Sequence, residues 1–323
     1  MSSGNTVSCA EERTAPTLGL RMRVRFSLVV VSALVGSAHA EGDALVDMLG
    51  PRAIAVGEAM RGGATGSSAI GLNPAGLPLN RELVFEGGYG YRASDQASLF
   101  GVSACDSTNA APGCFYYNYA GADPDLGGTT MHRRTHLGGA AFGYPVTPRV
   151  FLGSGVKYFN FKDEAMPTAN ASGWNWDVGM TLRLTDIINV GGSMQNLWGA
   201  ESPEFPRAAG GGVLIRPGSR LTASFDARWK LEDDDKTARY GGGAEFLLKT
   251  GASAIPLRVG GLHDNGLDAT FVSAGVGYAH LKGAIDVAGR FAVSGPKETT
   301  IIASLRLYGP RLPDAGANVG FGE

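Results

Sequence analysis

The sequence has little charge, only three cysteines, and no long apolar run beyond residue 40. Charged residues occupy 18% of the 323 positions, and the formal net charge is −2. That balance lacks the positive field that nucleic acid demands, so no nucleic-acid partner is expected. A transmembrane helix needs roughly 20 apolar residues, and none follows residue 40. Membrane entry is then open only to a closed barrel, because lipid offers no partners to exposed strand edges. Catalytic signatures are also missing. There is no G-x-S-x-G, no H-E-x-x-H and no phosphate-binding loop, so no enzyme activity, catalytic residue or cofactor is assigned.

The weaker chemical signals have ordinary readings. His132 and His136 in "HRRTH" read as a satisfied surface pair rather than a metal site, and Asp233, Asp234 and Asp235 in "KLEDDDKT" as a solvated acidic loop. The "NAS" at Asn170 matters only in a eukaryotic secretory context, which nothing else suggests. Cys105 and Cys114 flank "DSTNAAPG" between two strand-like runs, and their spacing fits no structural zinc pattern. In an oxidising periplasm a hairpin disulfide between them is expected, with two free thiols as the alternative.

What is present begins with an export signal. Arg21, Arg23 and Arg25 precede the apolar run Phe26 to Val35, and Ala38-His39-Ala40 offers a small-residue cleavage site. Residues 1–40 are therefore read as a signal peptide with an N-terminal extension, which also carries Cys9. The remainder suits one large all-β domain or two smaller ones.

Past residue 82 the sequence alternates. In residues 221–231, Leu221, Ala223, Phe225, Ala227, Trp229 and Leu231 share one face, and polar or charged residues share the other. Residues 174–184 repeat the pattern with Trp174, Trp176, Val178, Met180, Leu182 and Leu184. A period of two held this long is a two-faced strand. About fourteen such runs occur, near 82–92, 96–104, 114–121, 135–145, 150–161, 173–184, 187–198, 207–216, 219–231, 237–248, 255–263, 269–279, 283–293 and 297–308. Many approach the roughly 9–11 residues that cross a bilayer at a tilt. Tight turns such as "LTDI" and "HLKG" alternate with mostly longer polar loops such as "FKDEAMPTANASG", the asymmetry of outer-membrane barrels.

On this register Trp174, Trp176, Trp198 and Trp229 all fall at the outer end, as an aromatic belt at the membrane interface. Tyr91, Tyr119, Tyr158 and Phe161 are expected beside them, and Phe142, Tyr144, Phe151 and Tyr308 at the opposite rim. The fold class expected is all-β: a transmembrane antiparallel up-and-down barrel of about fourteen strands, residues 82–308, with a short tail at 309–323. An even strand count puts both termini at the periplasmic end of a Gram-negative outer membrane, with outer-membrane lipid around the wall.

The segment before the first strand reads "GPRAIAVGEAMRGGATGSSAIGLNPAGLPL", residues 50–79. Pro74 biases Asn73 away from helical backbone, so a short helix over Ser67–Leu72 should end there. Asn73 can hold a turn, and Ala75 and Gly76 are small enough to pack on a wall. This stretch, leading into Asn73-Pro74-Ala75 and then Gly76 and a strand, resembles the N-terminal segment of FadL-like and PorV/PorQ-like outer-membrane proteins. The resemblance implies a luminal hatch over residues 41–81 with Asn73, Pro74, Ala75 and Gly76 at its gate, and it implies a fourteen-stranded barrel. The chain departs from fatty-acid transporters of that kind in lacking long apolar extracellular hairpins, which weakens a long-chain fatty acid as cargo.

On the strand register the lumen carries Glu86, Arg92, Lys157, Asp177, Arg183, Asp226, Arg228, Lys230, Arg239, Glu245, Arg258, Asp286, Arg290 and Arg306. A charge facing lipid near the midplane costs about 2–4 kcal/mol, so inward segregation is expected of any barrel. The favoured reading is a paired interior with bridges to the hatch; the other is a weakly anion-attracting conduit. Runs such as Gly210–Gly212 and Gly241–Gly243 serve either as kinks in the wall or as close packing against the hatch. Two functions follow from the resemblance: passive transport of small hydrophobic or amphipathic molecules through a hatch-gated barrel, or a scaffold or shuttle for exported proteins. A nonspecific porin is disfavoured, since a plugged barrel of this size leaves little aqueous path.

Overall fold

A computed structural model of the chain describes residues 49–126, 128–231 and 237–311. The export signal with Cys9, the first hatch residues 41–48, the acidic loop with Asp233, Asp234 and Asp235, and the tail from 312 onward lie outside the described residues.

The described chain opens with two short helices, α1 (Pro51–Ala55) and α2 (Ser67–Leu72), and a 3-10 turn at Pro74–Leu79. The strands then follow: β1 (Glu82–Arg92), β2 (Ala97–Asp106), β3 (Gly113–Ala122), the two-residue pieces β4 (Asp125–Leu126) and β5 (Thr129–Thr130), β6 (Arg133–Thr147), β7 (Val150–Asp163) and β8 (Ala171–Arg183). The second half holds β9 (Ile188–Gln195), β10 (Ala208–Ile215), β11 (Leu221–Lys230), β12 (Ala238–Thr250), β13 (Ser253–Asp264), β14 (Ala269–His280), β15 (Gly283–Ser294) and β16 (Thr299–Arg311). All but β4 and β5 join one closed antiparallel barrel of fourteen strands in sequence order, with β1 pairing β16 to close it. The last strand runs to Arg311, so the barrel extends past the boundary expected at 308.

Each wall strand keeps its two faces. In β11, Leu221, Phe225 and Trp229 are exposed, while Ser224, Asp226 and Arg228 are buried. Every barrel strand except β10 turns at least one exposed large apolar side chain outward. Soluble monomers rarely expose apolar surface on this scale, and a girdle of it over thirteen of the fourteen barrel strands is a lipid-facing wall. Among the described residues no helix is long and apolar enough to cross a membrane.

Trp174, Trp176, Trp198 and Trp229 are all exposed and all sit toward the end holding the long connections. Tyr158 meets Trp174 edge-on there, ring centroids 5.4 Å apart. Three other aromatics depart from expectation. Phe151 and Phe161 are buried and share the inward face of β7 with Lys157. Tyr308 pairs with buried Val84 and lies against Arg306 on the inward side of β16. They fill the ends of the lumen instead of joining the rims.

Candidate functional site

The N-terminal segment lies against the inward face of the wall, and glycine makes the close approach possible. A Cβ on Gly153 would stand 2.2 Å from the Ala75 nitrogen, one on Gly179 2.1 Å from Asn73 Oδ1, and one on Gly191 2.1 Å from the Arg61 carbonyl. Farther round, a Cβ on Gly241 would stand 2.1 Å from the Gly57 carbonyl and one on Gly243 2.6 Å from Val56 Cα. Gly210 packs in the same way against the Arg61 side chain. Real Cβ atoms do not come this near, so at Gly153, Gly191, Gly241 and Gly243, where the neighbour is backbone, a side chain requires the segment to shift. The glycine runs thus serve as a seat for the segment, the second of the two roles open from sequence.

Asn73 is the hub of that seat. α2 ends at it with extended backbone, as Pro74 dictates. Its Oδ1 accepts from the Ala75 amide at 3.1 Å and caps the 3-10 turn. Its Nδ2 donates to the Arg61 carbonyl at 2.8 Å, to Thr181 Oγ1 at 3.0 Å and to the Met180 carbonyl at 3.1 Å. One fully buried carboxamide therefore ties two turns of the segment to β8. Gly76 is fixed by local packing, since a Cβ there would overlap the Ala64 carbonyl at 1.9 Å.

The charges assigned to the lumen lie on the inward face, most of them with named partners. Glu245 takes Arg52 of α1 at 2.9 Å and Arg258 at 2.6 Å. Arg258 also reaches Asp286 at 2.5 Å, and Asp286 takes Arg306. Asp226 accepts both the backbone amide of Arg61 at 2.9 Å and its guanidinium at 3.1 Å. Arg290 joins Glu58 of the N-terminal segment at 2.7 Å and also Glu298. Lys157 bridges both oxygens of Asp177, Arg239 pairs with Asp264, and Glu86 accepts from Ser67. Arg228 donates to Gln195, and Arg183 lies over the Phe151 ring at 5.3 Å. Lys230 shares the inward face of β11 toward its end. Buried ions need partners to offset desolvation, and here the partners come from neighbouring strands and from the hatch.

Ion pairs also hold the barrel's rim. Arg92 grips Asp95 through two bonds, at 2.8 and 2.7 Å, and Arg133 reaches the same carboxylate from β6. Burial pushes the Asp95 carboxyl up, but the hydrogen bonds and charge of Arg92, with the charge of Arg133, hold it below its ordinary value. Asp123 is held low by its bonds to His132 and Arg134. His132 takes Asp123 at 2.7 Å and His136 takes the Tyr117 hydroxyl at 2.7 Å, so the two histidines serve different partners. At the opposite end Cys105 and Cys114, directly opposed in the β2–β3 ladder, are joined as a disulfide.

Beside the hatch a cavity of about 760 Å³, open solvent at its mouth included, lies against β1, β2, β3, β6 and β16. Leu49, Ile70, Leu99, Leu137 and Ile302 give it apolar surface. Polar surface comes from Ser103, Tyr116, Asn118 and Ser304, together with the Lys157–Asp177 pair. Its room comes from inward-facing glycines: Gly88 and Gly101 stand side by side in the register between Ser304 and Asn118.

The connection between β9 and β10 returns a side chain into the far end of the lumen. Phe205 is buried against Phe159, ring centroids 4.5 Å apart, in a cluster with Leu137 and Phe161. Asn196, at φ 57, anchors the connection: its amide donates to Asp177 at 2.8 Å and its side chain to the Pro206 carbonyl at 2.8 Å. Sequence reasoning missed Arg61, Tyr116, Asn118, Ser304 and Phe205. The first four share inward parity or hatch position with residues it did assign; Phe205 sits in a polar loop and carried no signal.

Neither a protein-family model nor any curated protein sequence matches the chain. Solved structures do. The Ralstonia pickettii toluene transporter TbuX is 14% identical, with TM-score 0.60 over 82% of this chain and 99% of its own. The Pseudomonas putida toluene transporter TodX is 13% identical, with TM-score 0.62 over 80% of this chain and 97% of its own. A Pseudomonas aeruginosa FadL homologue is 12% identical, with TM-score 0.55 over 75% of this chain and 93% of its own. At such identities the likeness establishes a shared fold.

Proposed function

We propose that the chain is an outer-membrane barrel that passes small hydrophobic or amphipathic molecules inward, with residues 41–81 as a luminal hatch and both termini periplasmic. The observation that carries this reading is the open-mouthed cavity between the N-terminal segment and the β1–β3 wall, part apolar and part polar. The shared fold with two toluene transporters supports it. Asn73, Pro74, Ala75 and Gly76 form the gate because they are the part of the hatch seated on Gly153 and Gly179. Ion pairs hold most of the lumen charges, which lowers the field that apolar cargo meets.

The test is flux of toluene into vesicles bearing a lipopolysaccharide outer leaflet, with the full chain or with residues 41–80 deleted. Protein-dependent flux that rises on deletion supports the hatch-gated conduit. Flux indistinguishable between empty vesicles, the full chain and a folded deletion overturns it, and leaves the exported-protein scaffold as the remaining reading.

A further inference from the structure

Four polar side chains in the cavity wall have no hydrogen-bond partner among the described residues. They are Ser103, Tyr116, Asn118 and Ser304, and all four line the space beside the hatch. Ser304 is 5% exposed and its Oγ is unsatisfied. The register places them together. Ser103 of β2 faces Tyr116 of β3, and two residues along the ladder Gly101 faces Asn118. Gly101 in turn faces Gly88, which faces Ser304 across the closing seam. The wall's glycines belong to this arrangement. A Cβ on Gly101 would stand 2.5 Å from Asn118 Oδ1, and one on Gly139 2.9 Å from the Tyr116 hydroxyl.

Other buried lumen atoms also lack a partner, Asn175 Oδ1 among them; this cluster differs in that its polar groups line one cavity together. Ser304 Oγ, buried without a partner, costs roughly 1–3 kcal/mol, and a ligand supplying the partner recovers that cost; Ser103, Tyr116 and Asn118 are half-buried and face the same cavity. Formal charge is not what the cluster awaits. Lys157 and Asp177 neutralise each other at 2.6 Å, and Glu86 already accepts from Ser67. Around the cluster Leu49, Ile70, Leu99 and Leu137 offer only apolar contact.

Resting on the conduit reading above, we infer that the cavity selects neutral molecules with one hydroxyl on a small apolar body, such as a single-ring phenol, over the bare hydrocarbon of the same shape. The hydroxyl sits among Tyr116, Asn118 and Ser304, donating to the Asn118 carbonyl oxygen and accepting from a serine or tyrosine hydroxyl. The ring lies toward Leu99 and Leu137. No bond is made or broken.

p-Cresol and p-xylene differ by a hydroxyl in place of a methyl and are close to isosteric. Their affinities for the full chain in lipid nanodiscs, measured by NMR titration and referenced to empty nanodiscs, test the inference. About tenfold or more in favour of p-cresol is expected, the order of one or two net hydrogen bonds. Asn118→Leu with Tyr116→Phe should erase the preference while p-xylene affinity holds or rises. The wild-type ratio stands as a test even where the double variant folds poorly. Equal or tighter binding of p-xylene, no binding of either compound, or a preference that survives in the folded double variant each overturns the inference. Toluene flux judges the conduit separately, so failure of the selectivity is told apart from failure of the conduit.

Discussion

The carboxamide of Asn73 donates to the hydroxyl of Thr181 at 3.0 Å, from the hatch across to the barrel wall. Both groups are completely buried. Asn73→Ala strands Thr181 Oγ1, the Arg61 carbonyl and the Ala75 amide, at about 1–3 kcal/mol for each group left without a partner. Amide exchange over residues 61–79 should accelerate accordingly, while the β11–β16 amides stay protected. Unchanged exchange in that stretch would show that the wall glycines alone hold the hatch.

Those glycines make a separate prediction. Gly153→Val puts side-chain atoms where the backbone of Pro74 and Ala75 lies, with the Cβ alone 2.2 Å from the Ala75 nitrogen. The wall strand has no freedom to yield, since β7 is laddered on both sides. The hatch must yield, so flux should rise with the barrel intact by heat-modifiable gel migration. Gly87→Ala is the control, because its Cβ meets nothing nearer than Val102 Cγ1 at 4.0 Å. Equal flux in the two variants would detach the hatch from gating.

At the rim, pH dependence follows from Asp95. Its carboxyl is held below the usual value in the folded chain, by Arg92 and Arg133 against the opposing effect of burial. A depressed carboxylate contributes stability that is complete above its unfolded pKa of roughly 3.9 and is lost as pH falls through the folded value. The rim cluster should therefore hold near neutrality and loosen only below about pH 4. Exchange at residues 93–97, followed from pH 6 to pH 3 and corrected for intrinsic rates, should show that limb in the wild type and lack it in Asp95→Asn. An identical limb in both would assign the acid sensitivity to another group.

The barrel was largely legible because a lipid-facing wall forces period two on every strand, and β8 and β11 wear it openly. α2 and its end at Asn73 were legible because Pro74 acts on its immediate neighbour. Pairing was not. Arg258 meets Glu245 and Asp286, residues far apart in sequence, only after three registers are fixed. The inward turn of Phe161 and Tyr308 was written in parity, with Lys157 and with Arg306, but aromatic type at a strand end pointed to the rim instead. The unpaired polar cluster needed the most: strand order, register and the absence of a Cβ at Gly88 and Gly101.

Phe205 is where sequence offered least and structure constrains most. It enters the lumen from the β9–β10 connection and packs on Phe159, whose register neighbour Leu137 lines the cavity. The N-terminal segment packs on the inner wall, and this ring is buried among Leu137, Phe159 and Phe161 toward the long-loop end. Phe205→Ala removes about 3 kcal/mol or more of packing, yet leaves the Asn196 anchor at Asp177 and Pro206 in place. Cargo entry from the long-loop side should then speed up even with the hatch seated, and Gly153→Val combined with Phe205→Ala should raise flux more than either change alone. If Phe205→Ala leaves flux unchanged in both backgrounds, cargo does not pass this ring, and its path must leave the lumen through the wall instead.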